Sequence, residues 1–344
     1  MVKRRFILPS LCISGVSMQY MRSPARRLDC RGNILRLGSR PLIMGILNVT
    51  PDSFADGGRY FEPRQAVERA LLMAEEGADI IDVGGESTRP AGTYGAGAQP
   101  VSVDEEIRRT APVIEEIAAK TNLIISIDTT KAPVAQSALR LGASIVNDIS
   151  AMRFDPLMGA TIAQFDAAVV LMHMKGTPLT MQIKPTYDNL IREILDFLDE
   201  RKTGAIKAGI DPGRILIDPG LGFGKQNAHN FEILARLEEF HDLGCPLMIG
   251  PSRKKFTGAA LDLPPETRLH GTLAAVVFSA AAGAHVVRVH DVGAAVQAVR
   301  VAEQIVAASG TGCSTPEGMQ QVHSGADTSG KTSAQVRNHI PIPC

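Results

Sequence analysis

Nine polar residues stand at the ends of short apolar runs: Asn48, Asp82, Asp128, Asn147, His173, Asp218, Ser252, Arg288 and His290. A polar group buried without a partner costs free energy, so a core built only for stability has reason to avoid them. Their recurrence at run after run points to a site. Residues two apart in a strand share a face. Arg288 and His290 therefore point the same way and make a candidate anion clamp, and Ser126 shares a face with Asp128. The first run, Met44 to Asn48, breaks into a Gly-rich loop through Gly58 that carries Asp52, Phe54 and Asp56. That mixture is poor core material and well suited to gripping a polar ligand above a strand end.

The elements that must position these groups repeat. Strand-like runs fall at 42–48, 79–85, 123–128, 144–149, 167–173, 215–218, 246–250 and 286–291. They are short and apolar on both faces, as in a buried parallel sheet. Amphipathic helical stretches lie between them, including 64–76, 104–120, 132–141 and 187–207. Eight such units in about 270 residues predict a single-domain α/β fold, the TIM (β/α)8 barrel, whose active sites lie at the C-terminal strand ends. A doubly wound open sheet is the alternative, but it calls for a Gly-rich dinucleotide fingerprint after the first strand, and none is present.

Lys+Arg and Asp+Glu both number 36, and this balance argues against a nucleic-acid or anionic-membrane surface. Five scattered cysteines without a CxxC pair favour neither zinc nor a disulfide framework, and fit a reducing cytoplasm. No apolar run reaches the roughly 20 residues of a membrane span. Residues 1–40 read as an N-terminal extension, the first 25 or so disordered, with a start at Met18 or Met21 or a targeting segment as further readings. The barrel is expected over 41–309. A Ser-, Thr- and Gly-rich tail, 310–344, is expected to be disordered.

Several blocks, in order and at barrel spacing, resemble the dihydropteroate synthase family: Met44 to Gly58, Gly84 to Pro90, Ile127 to Thr129, Val146 to Ile149, Asp218 to Lys225, Gly250 to Lys254 and Arg288 to Asp291. The resemblance spans about residues 41–300. It implies an enzyme that joins 6-hydroxymethyl-7,8-dihydropterin pyrophosphate to p-aminobenzoate through a pterin cation, giving 7,8-dihydropteroate. By resemblance, Asp128, Asn147, Asp218 and Lys254 read the pterin, with Asp128, Asp218 and Lys254 as the catalytic set. Asn48, Arg288 and His290 hold pyrophosphate, and Asn48 faces Mg²⁺. Phe54, Thr88, Arg89, Pro90, Phe223 and Ser252 surround p-aminobenzoate, where sulfonamides are expected to compete, and the loops 48–58 and 87–97 are expected to close. The family also implies a homodimer, and the very apolar stretch Thr272–Ala282 suits one.

Other readings compete. Asp128 or Asp218 could simply cap the following helix. The Gly220–Lys225 segment looks like a phosphate cradle but lacks the Walker spacing, and turn glycines explain it better. His173 reads as structural, and His229, His241 and His270 as surface residues. A methyltetrahydrofolate-using methyltransferase would share a pterin-reading carboxylate but would need neither the Ser-Thr-Arg-Pro loop nor the Arg288/His290 clamp. A degenerate paralogue would be expected to lose Asn48, Asp128, Lys254 or Arg288 first. Pro251, and Ala91 between Pro90 and Gly92, depart from the family pattern. Without a pterin kinase or aldolase segment, the chain resembles the monofunctional bacterial form.

Overall fold

The computed structural model describes residues 24–50, 63–87, 100–259 and 261–308. Phe54, Thr88, Arg89, Pro90, most of both expected closing loops and the C-terminal tail lie outside them.

An antiparallel hairpin, β1 (Arg26–Cys30) and β2 (Asn33–Leu37), comes first. Eight parallel strands follow: β3 (Leu42–Asn48), β4 (Ile80–Gly84), β5 (Ile124–Asp128), β6 (Ile145–Asp148), β7 (Ala168–Met172), β8 (Ile215–Asp218), β9 (Met248–Ile249) and β10 (Val286–Val289). Their order in the sheet is β8-β7-β6-β5-β4-β3-β10-β9. A parallel bridge from Ile217 to Leu247, with Ile217 N–H donating to the Pro246 carbonyl at 3.0 Å, joins β8 to the approach to β9 and closes the ring. The helices are α1 (Pro63–Glu75), α2 (Val103–Lys120), α3 (Ala132–Arg140), α4 (Met158–Gln164), α5 (Leu190–Lys207), α6 (Asn227–Ala235), α7 (Leu269–Ala281) and α8 (Val292–Ala308). The TIM barrel read from the sequence is the fold observed.

Strand alternation divides the core in two. Ile43, Leu47, Ile81, Val83, Ile125 and Ile127 face the helices and join the larger apolar cluster. Leu42, Met44, Ile80, Ile124, Ile145, Ala168, Val170, Leu216, Met248 and Val286 face the barrel axis and pack on Leu28, Cys30 and Leu37 of the hairpin. The hairpin thus plugs the N-terminal mouth. The sequence reading assigned no element here, because ten residues with little apolar alternation carry a weak strand signal. Arg31 fastens the plug, its Nη1 donating to the carbonyls of Leu139 (2.6 Å) and Ala143 (2.8 Å). His285 is buried in the same layer. Its Nδ1 accepts from Leu247 N–H at 3.0 Å, which leaves Nε2–H to donate to the Pro24 carbonyl at 2.9 Å. With the lower barrel filled by aliphatic side chains, polar groups have room only at the other end.

Candidate active site

Register puts the site together. Asn48 pairs with Gly84, Gly84 with Asp128 and Asp128 with Asn147, one inward position on each of four adjacent strands. Gly84 matters for the room it leaves: a Cβ there would sit 3.5 Å from the Asp128 Cβ and 3.9 Å from Asn48 Oδ1. One layer below, Asp82 pairs with Ser126. Across the barrel, Asp218 ends β8, and Arg288 enters from β10.

Arg288 is the hub. Its Nε donates to Asp82 Oδ2 at 2.6 Å and its Nη2 to Asp128 Oδ2 at 2.6 Å. Asn147 Nδ2 donates to the same Asp82 oxygen at 3.0 Å, while Asn147 Oδ1 is buried without a partner among the described residues. Burial pushes the Asp128 carboxyl up to about 7; Arg288 opposes the rise, and the charges of Asp82, Glu106 and Asp148 add to it. Glu106 is buried beside this cluster and bonded to Lys131, which also grips Glu86 at the root of the following loop.

The opposite wall is built on glycine turns. Gly220, Gly222 and Gly224 all have positive φ, and a Cβ on Gly220 would fall 2.0 Å from the His173 carbonyl oxygen. Asp218 Oδ1 accepts from Gly220 N–H at 2.7 Å, so one carboxylate oxygen braces the turn. Burial raises the Asp218 pKa, opposed by Lys254. Lys254 donates to the Leu221 carbonyl and lies 4.8 Å from the centroid of the Phe223 ring. Burial lowers its ammonium to about 8, opposed by Asp218. Lys225 is buried behind the turn, within hydrogen-bond reach of His173 Nδ1 (2.8 Å) and of the carbonyls of Gly220 (2.9 Å) and Phe223 (3.0 Å). His173 is therefore a structural partner, as read, and the Gly220–Lys225 segment is a folded turn.

Ser252 and His290 complete the mouth. Ser252 Oγ lies 2.9 Å from His290 Nδ1 and accepts from His290 N–H at 3.1 Å. Asn48, Asp128, Phe223, Ser252, Lys254, Arg288 and His290 all line one cavity of about 970 Å³. The structure thus brings these seven together; Asn147 and Asp218 sit in the strand layer at its floor. The carboxamide of Asn48 makes no hydrogen bond among the described residues. Its hard amide oxygen fits Mg²⁺, which takes few protein ligands and keeps its waters.

Two features escaped the sequence reading. Asp82 was noted as a polar strand end but given no role; its shared parity with Gly84, the register partner of Asn48, was the available signal. His241 is not a surface residue in the ordinary sense, because both ring nitrogens are buried without partners among the described residues.

The chain is similar to known proteins in both sequence and fold. Residues 44–290 match the family of pterin binding enzymes. Dihydropteroate synthase of Escherichia coli strain K12 is 46% identical over 282 residues, covering 82% of this chain and 97% of that protein. The solved structure of Xanthomonas albilineans dihydropteroate synthase with 4-aminobenzoic acid matches with a TM-score of 0.75 at 46% identity, covering 82% of this chain and 99% of that one. The same organism's enzyme in complex with 7,8-dihydropteroate matches with a TM-score of 0.72 at 44% identity and the same coverage of both chains. The chain belongs to the dihydropteroate synthase family.

Proposed function

We infer that this chain is a transferase of folate biosynthesis. It condenses 6-hydroxymethyl-7,8-dihydropterin pyrophosphate with p-aminobenzoate to give 7,8-dihydropteroate and pyrophosphate. The observation that carries the reading is the sharing of one cavity by an anion-binding pair, Arg288 and His290, and a pterin-reading set, Asp128 and Lys254 above Asn147 and Asp218. It is supported by relatives seen with p-aminobenzoate and with dihydropteroate.

In this reading the free oxygen of Asp218 and the unpartnered Asn147 Oδ1 accept the N–H donors of the aminopyrimidinone edge. Arg288 and His290 hold the pyrophosphate, and Asn48 holds Mg²⁺, which when bound offsets negative charge on the leaving group. The bond from the exocyclic methylene to oxygen breaks, and its electron pair leaves with pyrophosphate. Asp128 faces the resulting pterin cation as a fixed counter-charge; groups of this kind typically contribute about 2.7–4 kcal/mol to the transition state. The arylamine lone pair then closes the new C–N bond, and its proton departs to pyrophosphate or water. Phe223 and Ser252, with Phe54, Thr88, Arg89 and Pro90, surround p-aminobenzoate, and a sulfonamide competes for the same place.

Two further parts belong to this reading. A homodimer is supported by Phe278 on α7 and by Val301 and Ile305 on α8, each more than half exposed. A cytoplasmic setting is supported by Cys30 and Cys245, both buried free thiols. Among the described residues no helix is long and apolar enough to cross a membrane.

The test is pyrophosphate release from the pterin substrate with Mg²⁺, with and without p-aminobenzoate. Release that requires p-aminobenzoate, disappears in Asp128→Ala and stops with EDTA supports the reading. Tight pterin binding without release would sink it. Light scattering on the wild type and on Phe278→Glu tests the dimer.

A further inference from the structure

Asp82 is wholly buried, yet a single oxygen of it accepts from two residues that reach into the site. Arg288 Nε lies 2.6 Å away and Asn147 Nδ2 lies 3.0 Å away. A carboxylate only accepts hydrogen bonds, whereas a carboxamide has one donating and one accepting end. Facing Asp82, Asn147 can present only its NH₂, so Oδ1 must turn elsewhere, and it is indeed left buried and without a partner among the described residues. Arg288 is held in a similar way. Among the described residues its hydrogen bonds go to carboxylates on adjacent strands, Asp82 on β4 and Asp128 on β5. Asp128 lines the cavity, so a ligand that engages it competes for Arg288. Asp82 lies one layer below Asp128 and does not line the cavity, so its hold on Nε does not meet the same competition.

We propose that Asp82 is a positioning residue that orients Arg288 and Asn147 together, so that the anion-binding and pterin-reading sides of the site are set by one buried carboxylate. The proposal rests on the functional reading above for what the two sides bind. Asp82→Asn preserves shape but removes the charge and the acceptor-only character. It allows the Asn147 amide to turn over and releases the Arg288 side chain from β4.

Two measurements test this. Steady-state kinetics of Asp82→Asn should show KM for the pterin pyrophosphate raised about tenfold or more, the cost of a lost charge-assisted hydrogen bond, with KM for p-aminobenzoate changed less than about twofold. The nitrogen-15 spectrum of the wild type should show an arginine Hε signal shifted downfield and slow to exchange, missing in Arg288→Lys and lost or moved upfield in Asp82→Asn. If Asp82→Asn alone does not fold, it is made in the Arg288→Met/Asn147→Ala background, where both residues it positions are gone, and there it should leave KM for the pterin substrate unchanged. Equal changes in both KM values, a triple variant clearly worse than Arg288→Met/Asn147→Ala, or an unmoved Hε signal would overturn the proposal. The Hε signal needs no turnover. A wild type without synthase activity therefore sinks the functional reading alone and leaves the role of Asp82 to be decided by the spectrum.

Discussion

Burial pushes the Asp128 carboxyl up to about 7 from its ordinary 3.8, against the pull of Arg288. At about 1.4 kcal/mol per unit, ionising it in the folded protein costs roughly 4 kcal/mol more than in water, a cost that a pterin cation beside it would offset. If the carboxylate is the form that works, kcat/KM for the pterin substrate falls about tenfold for each pH unit below about 7. Lys254, lowered to about 8, sets the other limb if its ammonium is needed, so the profile is a narrow bell between the two values. Besides Asp82 on β4, Asp128 faces Arg288 on β10, Asp148 on β6, Glu106 on α2 and, across the cavity, Lys254. Glu106 offers a clean perturbation because it is buried behind the site and bonded to Lys131. Glu106→Gln removes a like charge and leaves Lys131 less compensated, and both effects lower the Asp128 pKa. The acid limb should therefore move to lower pH. The assay is pyrophosphate release across pH, read as kcat/KM, for both proteins. A limb owed to ionisation of the substrate would stay where it was in Glu106→Gln. An unmoved limb, or a wild-type profile flat down to about pH 5, would refute the assignment.

Stability should depend on His285, whose pKa falls from 6.5 to about 4 on burial. The folded state then binds fewer protons than the unfolded, so the stability is complete above pH 6.5 and lost as pH falls toward 4, by about 3 kcal/mol at that end. Urea midpoints measured across this window should show His285→Asn less pH-dependent than the wild type. Gly220→Ala forces a Cβ to within 2.0 Å of a backbone carbonyl at φ +72. It should cost about 4 kcal/mol or more, seen as loss of the thermal transition or a large drop in Tm. Arg31→Ala removes the bonds that hold the hairpin to the barrel base and should cost about 1–3 kcal/mol by urea titration, with kcat unchanged because the site lies at the other mouth.

The amino-acid order by itself determined the barrel and most of the groups at its mouth. Eight apolar runs, nearly every one with a polar residue at or close to its end, specify both the parallel sheet and the end at which it works, since a short apolar run and the group that ends it are local properties of the sequence. That Arg288 and His290 share a face was legible for the same reason. Three things were not. The hairpin at 26–37 is held by contacts with the barrel base, through Arg31 and the apolar side chains under β3 to β10, and its own residues carry little pattern. His241 loses its solvent to packing by distant segments. Most of all, Asp82, Arg288 and Asn147 are 65 and 206 residues apart in the chain and 2.6–3.0 Å apart in space. Strand register brought them together. Register depends on how neighbouring strands and helices settle against one another, so the choice of one carboxylate to hold two arms of the site belongs to the tertiary structure.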